Sequence, residues 1–411
     1  MNHKIIKLFM NNADLQTKNT GKRYLRFYIY GFSYVWANAM VSMFMSMYLK
    51  SRDISEESIG GFIGAFNAVL PLVVLSFGLL SDRISCRKLV MLGSLISIIY
   101  CALMPSLDGM ALMGIVILLG GVGRSLSIIT ANVLFLKTVD QHKRGKKLSI
   151  FVACMTSGYA VGSAMGSIMV RELSLPVYSV FYLALPLHLT AFIMASGLPE
   201  VPALKFPMIR YFHDMKRLPV FCLALITFSL GTHWGSEHFG TVRFLDEIIH
   251  ARGFEMAFFF IGGGIFTALF TRTAGHLVDK KANFIKFLVI GMVISGATHA
   301  LTGLTKTFGQ FFIVRILHVC GDSFIVFGIP FLVSMAFPAG RMGGNYGFNR
   351  TINSIGTTAG SLVAGFVAGR FFLGMPFIVT GIIQVMTGGV ILLMRQHIIL
   401  QAPAPSPLKS S

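Results

Sequence analysis

Residues 78–93 read GLLSDRISCRKLVMLG, and residues 275–291 read GHLVDKKANFIKFLVIG. Set one on the other, Gly78 falls on Gly275 and Asp82 on Asp279, 197 residues further on. The same spacing carries Arg144 to Arg341, and a spacing of 198 carries Gly158 and Gly162 to Gly356 and Gly360. Three matches at one period mark two copies of a single unit. Between the copies lies LPEVPALKFPMIRYFHDMKRLP, residues 198–219, a polar, basic stretch with four prolines.

Each copy is built from apolar runs of roughly 20 residues, the length that crosses about 30 Å of hydrocarbon as a helix. The 411-residue chain is 54% hydrophobic and 12% charged, with a mean hydropathy of +0.72. Soluble domains carry about 25% charge, so lipid is the solvent this composition fits. Alternating ten-residue barrel strands are absent, which leaves helices as the spanning element. The expected fold is an all-α membrane protein of twelve transmembrane helices in two six-helix pseudo-repeats. Its parts are a tail (1–24), an N-terminal six-helix bundle (25–198), a linker (199–218), a C-terminal six-helix bundle (219–394) and a second tail (395–411).

The net charge of +19 suggests a nucleic-acid binder until the bases are placed. The tails, the linker and the loops on one side hold most of them. The opposite loops hold only Lys50, Arg52, Arg171, Arg243, Arg252, Lys306 and Arg370. That bias orients a membrane protein with both termini cytoplasmic. The basicity is orientation, and no nucleic-acid partner is expected. The predicted location is multi-pass in a bacterial cytoplasmic (inner) membrane, as a monomer in the lipid bilayer. The five cysteines, Cys86, Cys101, Cys154, Cys222 and Cys320, avoid the external loops and lack metal-site spacing, so no disulfide framework is expected.

The stretch Gly78-x-x-x-Asp82-Arg83-x-x-x-Arg87-Lys88 resembles the signature of the major facilitator superfamily, in the loop between its second and third helices. Gly275, Asp279 and Lys280 echo it in the second copy. Ser85 and Cys86 stand where the family usually has Gly and a base, and Ala282 and Asn283 interrupt the echo. The resemblance implies secondary transport by alternating access, with helices 1, 4, 7 and 10 around a central cavity. It also implies that this motif is a cytoplasmic gate. Gly78 permits close helix approach, Asp82 accepts from a neighbouring helix terminus, and Arg83, Arg87 and Lys88 meet acids or headgroups. Gly158-x-x-x-Gly162-x-x-x-Gly166 puts three glycines on one face of span 5 for tight helix packing, with Gly356 and Gly360 as counterparts. It resembles the family's antiporter signature, with Ser163 in place of the usual proline.

Two acids lie well inside spans, Glu237 on span 7 and Asp322 on span 10. A charge at the bilayer centre costs about 2.5–3.5 kcal/mol on insertion scales, so such groups face an interior path and find partners. His233 and Glu237 are spaced i,i+4, as are His318 and Asp322, and Arg315 shares the second stripe. Arg124 on span 4 is one repeat from Asp322, which predicts a base in one half facing an acid in the other. Asn38 on span 1 projects onto Gly235–Ser236. Asn38, Arg124, His233, Glu237, Arg315, His318 and Asp322 are therefore the candidate substrate- and proton-binding residues. His188 and His299 look isolated, and His238 points off the stripe.

These residues suit a secondary active transporter for a small organic solute, anionic or zwitterionic given Arg124 and Arg315, with proton coupling by symport or antiport. Two alternatives use the same groups: efflux of lipophilic cations, or transport of a divalent metal at His233, Glu237, His318 and Asp322. No enzyme is expected. His233 and Glu237 miss the H-x-x-E-H metalloprotease spacing by one residue, and no nucleophile–base pair or cofactor motif is present.

Overall fold

A computed structural model describes residues 3–80, 85–139, 144–201, 215–280, 284–336 and 342–400. Twelve long α-helices account for most of them. The first six are α1 (His3–Lys50), α2 (Glu56–Leu80), α3 (Cys86–Leu103), α4 (Met110–Thr138), α5 (Arg144–Ser167) and α6 (Ser179–Ser196). The second six are α7 (Leu218–Arg243), α8 (Gly253–Lys280), α9 (Phe284–Thr302), α10 (Phe308–Ala336), α11 (Met342–Arg370) and α12 (Met375–Leu400). Nine spans among the described residues are long and apolar enough to cross a membrane by length and composition alone. Leucines, isoleucines and phenylalanines such as Leu72, Ile115, Phe258, Ile313 and Leu393 are exposed on the outer surface, where a lipid-facing belt needs them.

The two halves are built alike. In the first, α1 packs on α5 and α6, α3 on α4 and α6, and α2 on α4; six helices on, α7 packs on α11 and α12, α9 on α10 and α12, and α8 on α10. Glycine makes the tightest of these seams. A methyl on Gly158 or Gly162 would strike the backbone of Phe32 and Trp36 on α1, and one on Gly166 would strike Phe44. Gly356 and Gly360 meet Phe228 and Thr232 on α7 in the same way. Without a hydrophobic drive between helices in lipid, close backbone approach supplies the association energy. α1 continues from His3 through the segment that the sequence reading separates as a tail, so the helix does not pause at residue 24.

Between the halves, α2 packs along α11, α5 along α8 and α1 along α7. Two of these contacts reach mid-depth: Ser354 Oγ donates to the carbonyl of Asn67 (2.5 Å) and Thr358 Oγ1 to that of Gly64 (3.3 Å). The strongest ones cluster on the face away from the linker, called here the far face. There Gly60 and Gly365 bring α2 and α11 so close that a Cβ on either would lie 2.8 Å from the other's Cα. Arg243 at the end of α7 donates to both oxygens of Glu56 at the start of α2, at 2.5 and 2.8 Å. α5 and α7 each end in a turn of π-helix, Ile168–Glu172 and Phe244–Ile248. These wider turns, which often mark functional sites, bring Arg171 and Asp246 together at 2.7 Å. Glu172 Oε1 accepts from the backbone N–H of Phe254 (3.0 Å). A single apolar core that includes Phe44, Ile63, Phe239, Phe244, Phe259 and Ala364 joins the halves on this face.

Candidate functional site

α7 carries His233 and Glu237 one turn apart, and α10 carries Arg315, His318 and Asp322 at intervals of three and four. α9 adds Ser295 and His299, again one turn apart, and α12 adds Thr380 and Gln384. The four helices enclose the polar groups so that His233, His299, His318 and Arg315 are buried and the two carboxylates are largely so. Arg315 donates to Glu237 through Nη2. The same Glu237 Oε1 lies 3.5 Å from His233 Nε2, 3.4 Å from His318 Nε2 and 4.0 Å from His299 Nδ1. Asp322 Oδ1 accepts from Ser295 Oγ at 2.6 Å, and Oδ2 lies 3.3 Å from His318 Nε2. Gln384 Nε2 in turn donates to Ser295 Oγ (2.8 Å). The three imidazoles stack, His233 on His299 with centroids 3.8 Å apart and His233 on His318 at 4.6 Å.

Hydrogen-bond partners assign two tautomers, because some of those partners have only one role to play. The carbonyl of Ser295 can only accept, so His318 Nδ1, at 3.2 Å, carries a proton and a neutral His318 keeps a lone pair on Nε2. Arg315 Nη1 can only donate, so His299 Nδ1, at 3.4 Å, accepts and the proton sits on Nε2. His299 Nε2 is then held by Ser236 Oγ and Thr380 Oγ1, both at 3.1 Å. Against a neutral His318, His233 Nε2 donates to His318 Nε2 at 3.1 Å, and among the described residues its Nδ1 has no partner.

Arg124 stands apart from this network. Its Nη1 donates to Asn67 Oδ1 (2.8 Å) and its guanidinium lies over the Phe66 ring, 5.4 Å from the centroid. No carboxylate pairs with it among the described residues. It borders two cavities. One, a small cavity, is also lined by Tyr34, Asn38, Ser97 and His188, and the other, equally small, by Ser42, Met45, Ile63, Asn67 and His238. Among the described residues, Asn38 Oδ1 is buried without a partner.

The sequence model of the Major Facilitator Superfamily matches residues 27–305, more than half of the chain. The chain belongs to that superfamily. It is a membrane transporter and not an enzyme. No curated protein matches the sequence. Among solved structures, the nucleoside transporter NupG superposes with a TM-score of 0.76 at 16% identity, covering 91% of this chain and 99% of its own. A bacterial homologue of the human lysosomal transporter Spinster, inward-facing and unoccupied, gives 0.76 at 13% identity, with 93% and 98% covered. The human organic anion transporter MFSD10 gives 0.63 at 14% identity, with 90% and 99% covered. At these identities the likeness is one of fold.

In this superfamily member, His233 and Glu237 share one face of α7, and Arg315, His318 and Asp322 one face of α10, and the packing of the two helices brings all five together. The predicted facing of Arg124 and Asp322 does not occur. The repeat gives them equivalent places in their own halves, but Asp322 turns toward Ser295 and His318 while Arg124 turns toward Asn67. His299, read as isolated, is central. Its signal was a polar stripe on span 9, Ser295 and His299 at i,i+4 beside Thr298 and Thr302, in an otherwise apolar run. His238 does point off the stripe, and it points into the second cavity.

Of the gate motif, Asp82 and Arg83 lie outside the described residues. Gly78 falls in the last turn of α2, and Gly275, Asp279 and Lys280 in the last two turns of α8; the side chains of Asp279 and Lys280 lie outside the described part. Arg87 pairs with Glu200 at 3.0 Å within the first half. Ser85, which replaces the family's glycine, caps α3: its Oγ accepts from the backbone N–H of Lys88 (3.3 Å).

Proposed function

We propose that the chain is a proton-coupled secondary transporter for a small organic solute, working by alternating access with the linker face in the cytoplasm of a bacterial inner membrane. The observation that carries this reading is the buried network of two carboxylates, three histidines and one arginine on α7, α9 and α10. A structural ion pair needs two groups. Six titratable or cationic groups, each leaning on the next, can take up a proton at one member and pass its consequence to the others. A proton moving down a 100 mV potential carries about 2.3 kcal/mol, enough to bias a two-state equilibrium usefully.

Arg124, bordering two cavities and paired with no acid among the described residues, suits the anionic or carboxylate end of a solute. It argues against the lipophilic-cation alternative. The neighbours named for nucleosides and for organic anions are consistent with a small organic cargo. Histidine 238 connects the two regions: it lines the cavity beside Arg124, while Glu237, the next residue on α7, belongs to the network.

Purified protein in liposomes with an imposed proton gradient tests the reading, over a panel of organic anions, zwitterions, lipophilic cations and divalent metals. Glu237→Gln and Asp322→Asn should abolish stimulation by the gradient, with at least about tenfold slower accumulation. Arg124→Gln should raise KM for the cargo and leave proton stimulation in place. Gradient-driven uptake unchanged in both acid variants removes the proton assignment.

A further inference from the structure

We infer that His233, His299, His318 and Glu237 form a four-coordinate site for a divalent transition metal of the zinc class, and that the ion acts as a bound inhibitor of the network rather than as cargo. The ligand atoms His233 Nε2, His299 Nδ1, His318 Nε2 and Glu237 Oε1 all lie within 4.8 Å of one another. Four of the six separations are 3.1, 3.4, 3.5 and 4.0 Å. A tetrahedron with zinc–ligand bonds of about 2.0–2.1 Å has edges of about 3.3–3.4 Å. Closing the difference also needs the stacked rings of His233 and His299, with centroids 3.8 Å apart, to turn so that their in-plane lone pairs meet at one ion.

The tautomers favour the site. His299 and a neutral His318 carry lone pairs on the nitrogens nearest Glu237, each with its other nitrogen held by a partner, as metal-bound histidines usually are. Only His233 carries a proton on the inward Nε2, and its Nδ1 is free to receive it. Coordination therefore needs a tautomer change at His233 and no net proton loss. Ser295 stands behind His318 at Nδ1, and Ser236 and Thr380 behind His299, while Asp322 Oδ2 lies on the ligand side, 3.3 Å from His318 Nε2 and 3.9 Å from His233 Nε2. Arg315 donates to Glu237 and can keep that bond while Glu237 ligates, but its charge opposes the cation.

All four ligands come from one six-helix half, and the three imidazoles are buried. An ion held there does not lie between the halves, where a cargo would be released by their rocking. It clamps α7, α9 and α10 together and takes the Glu237 oxygen from the network. The inhibition rests on the transport reading above; the binding does not.

The test separates the two. Detergent-purified full-length protein is loaded with Zn2+ or Co2+ alone. We expect stoichiometric binding, intense visible Co2+ bands of four-coordinate geometry, and X-ray absorption of the zinc form fitting three nitrogens and one oxygen. His299→Ala and His318→Ala should weaken binding at least about a hundredfold, and Thr380→Val about tenfold, as lost outer-shell partners do. Arg315→Gln keeps a donor, drops the charge and should tighten binding about tenfold. Weak six-coordinate Co2+ bands in the unaltered protein, or binding undiminished in both histidine variants, overturn the site. Zinc accumulation inside liposomes driven by the protein overturns the inhibitor role. Loss of binding with proton-driven solute uptake intact would sink this inference and leave the transport reading standing.

Discussion

Ser295 has one hydroxyl and two obligations. Its Oγ donates to Asp322 and accepts from Gln384, so it ties α9, α10 and α12 at one atom. Ser295→Ala removes the donor from a largely buried carboxylate and the acceptor from a buried amide whose Oε1 already lacks a partner among the described residues. Leaving such groups unsatisfied costs about 1–3 kcal/mol each. The variant should unfold at lower temperature in detergent, by tryptophan fluorescence or thiol-reactive dye, while Ser42→Ala, whose hydroxyl only back-bonds within α1, should not. At this scale the sequence was a partial guide. Residues one turn apart on one helix announce themselves, and His233, Glu237, His318 and Asp322 were legible for that reason. Which helices then share a centre is a tertiary fact. In sequence His299 therefore reads as isolated, and the repeat sets Arg124 opposite an acid that it does not meet in the fold.

Among the helices, the informative residue is glycine. Gly360 on α11 presses on Thr232 of α7, so closely that any side chain must displace backbone. Gly263 on α8 has open space where a Cβ would go. Gly360→Val should destabilise the C-terminal bundle by about 3 kcal/mol or more and reduce the yield of monodisperse protein, and Gly263→Val should do neither. Equal behaviour of the two variants in a thermal melt would contradict the packing described. The helices and their seams were readable in advance because lipid forces regularity. Every backbone polar group must be paired inside its own helix, and close packing needs small residues at fixed spacing. The glycines that matched at an offset of 198 make equivalent contacts, α5 on α1 and α11 on α7.

For the molecule as a whole, the far face is held by Glu56 with Arg243, Arg171 with Asp246, and the near-touching backbones at Gly60 and Gly365. Burial pushes the Glu56 carboxyl up, but hydrogen bonds from Arg243 and Lys50 outweigh it and hold the group below its ordinary value. A carboxyl depressed in the closed arrangement stabilises closure above its ordinary value and withdraws that support as pH falls through the depressed one. Acidification below the usual carboxylate range should therefore open this face. Distances between spin labels on the α1–α2 and α7–α8 loops should lengthen at low pH, and Glu56→Gln should remove that dependence. No change with pH in the unaltered protein would exclude the pair as a closing element.

Most of the acid chemistry sits in one copy of the repeat and Arg124 with most of the lining of its cavities in the other, joined where Ser354 reaches Asn67. On the proposed function, this split lets the two copies evolve at different tempos. The first can drift through substitutions around Arg124 and acquire new cargoes, while the second stays fixed as the engine. Grafting a relative's first half onto this second half should then exchange preference without exchanging the driving force.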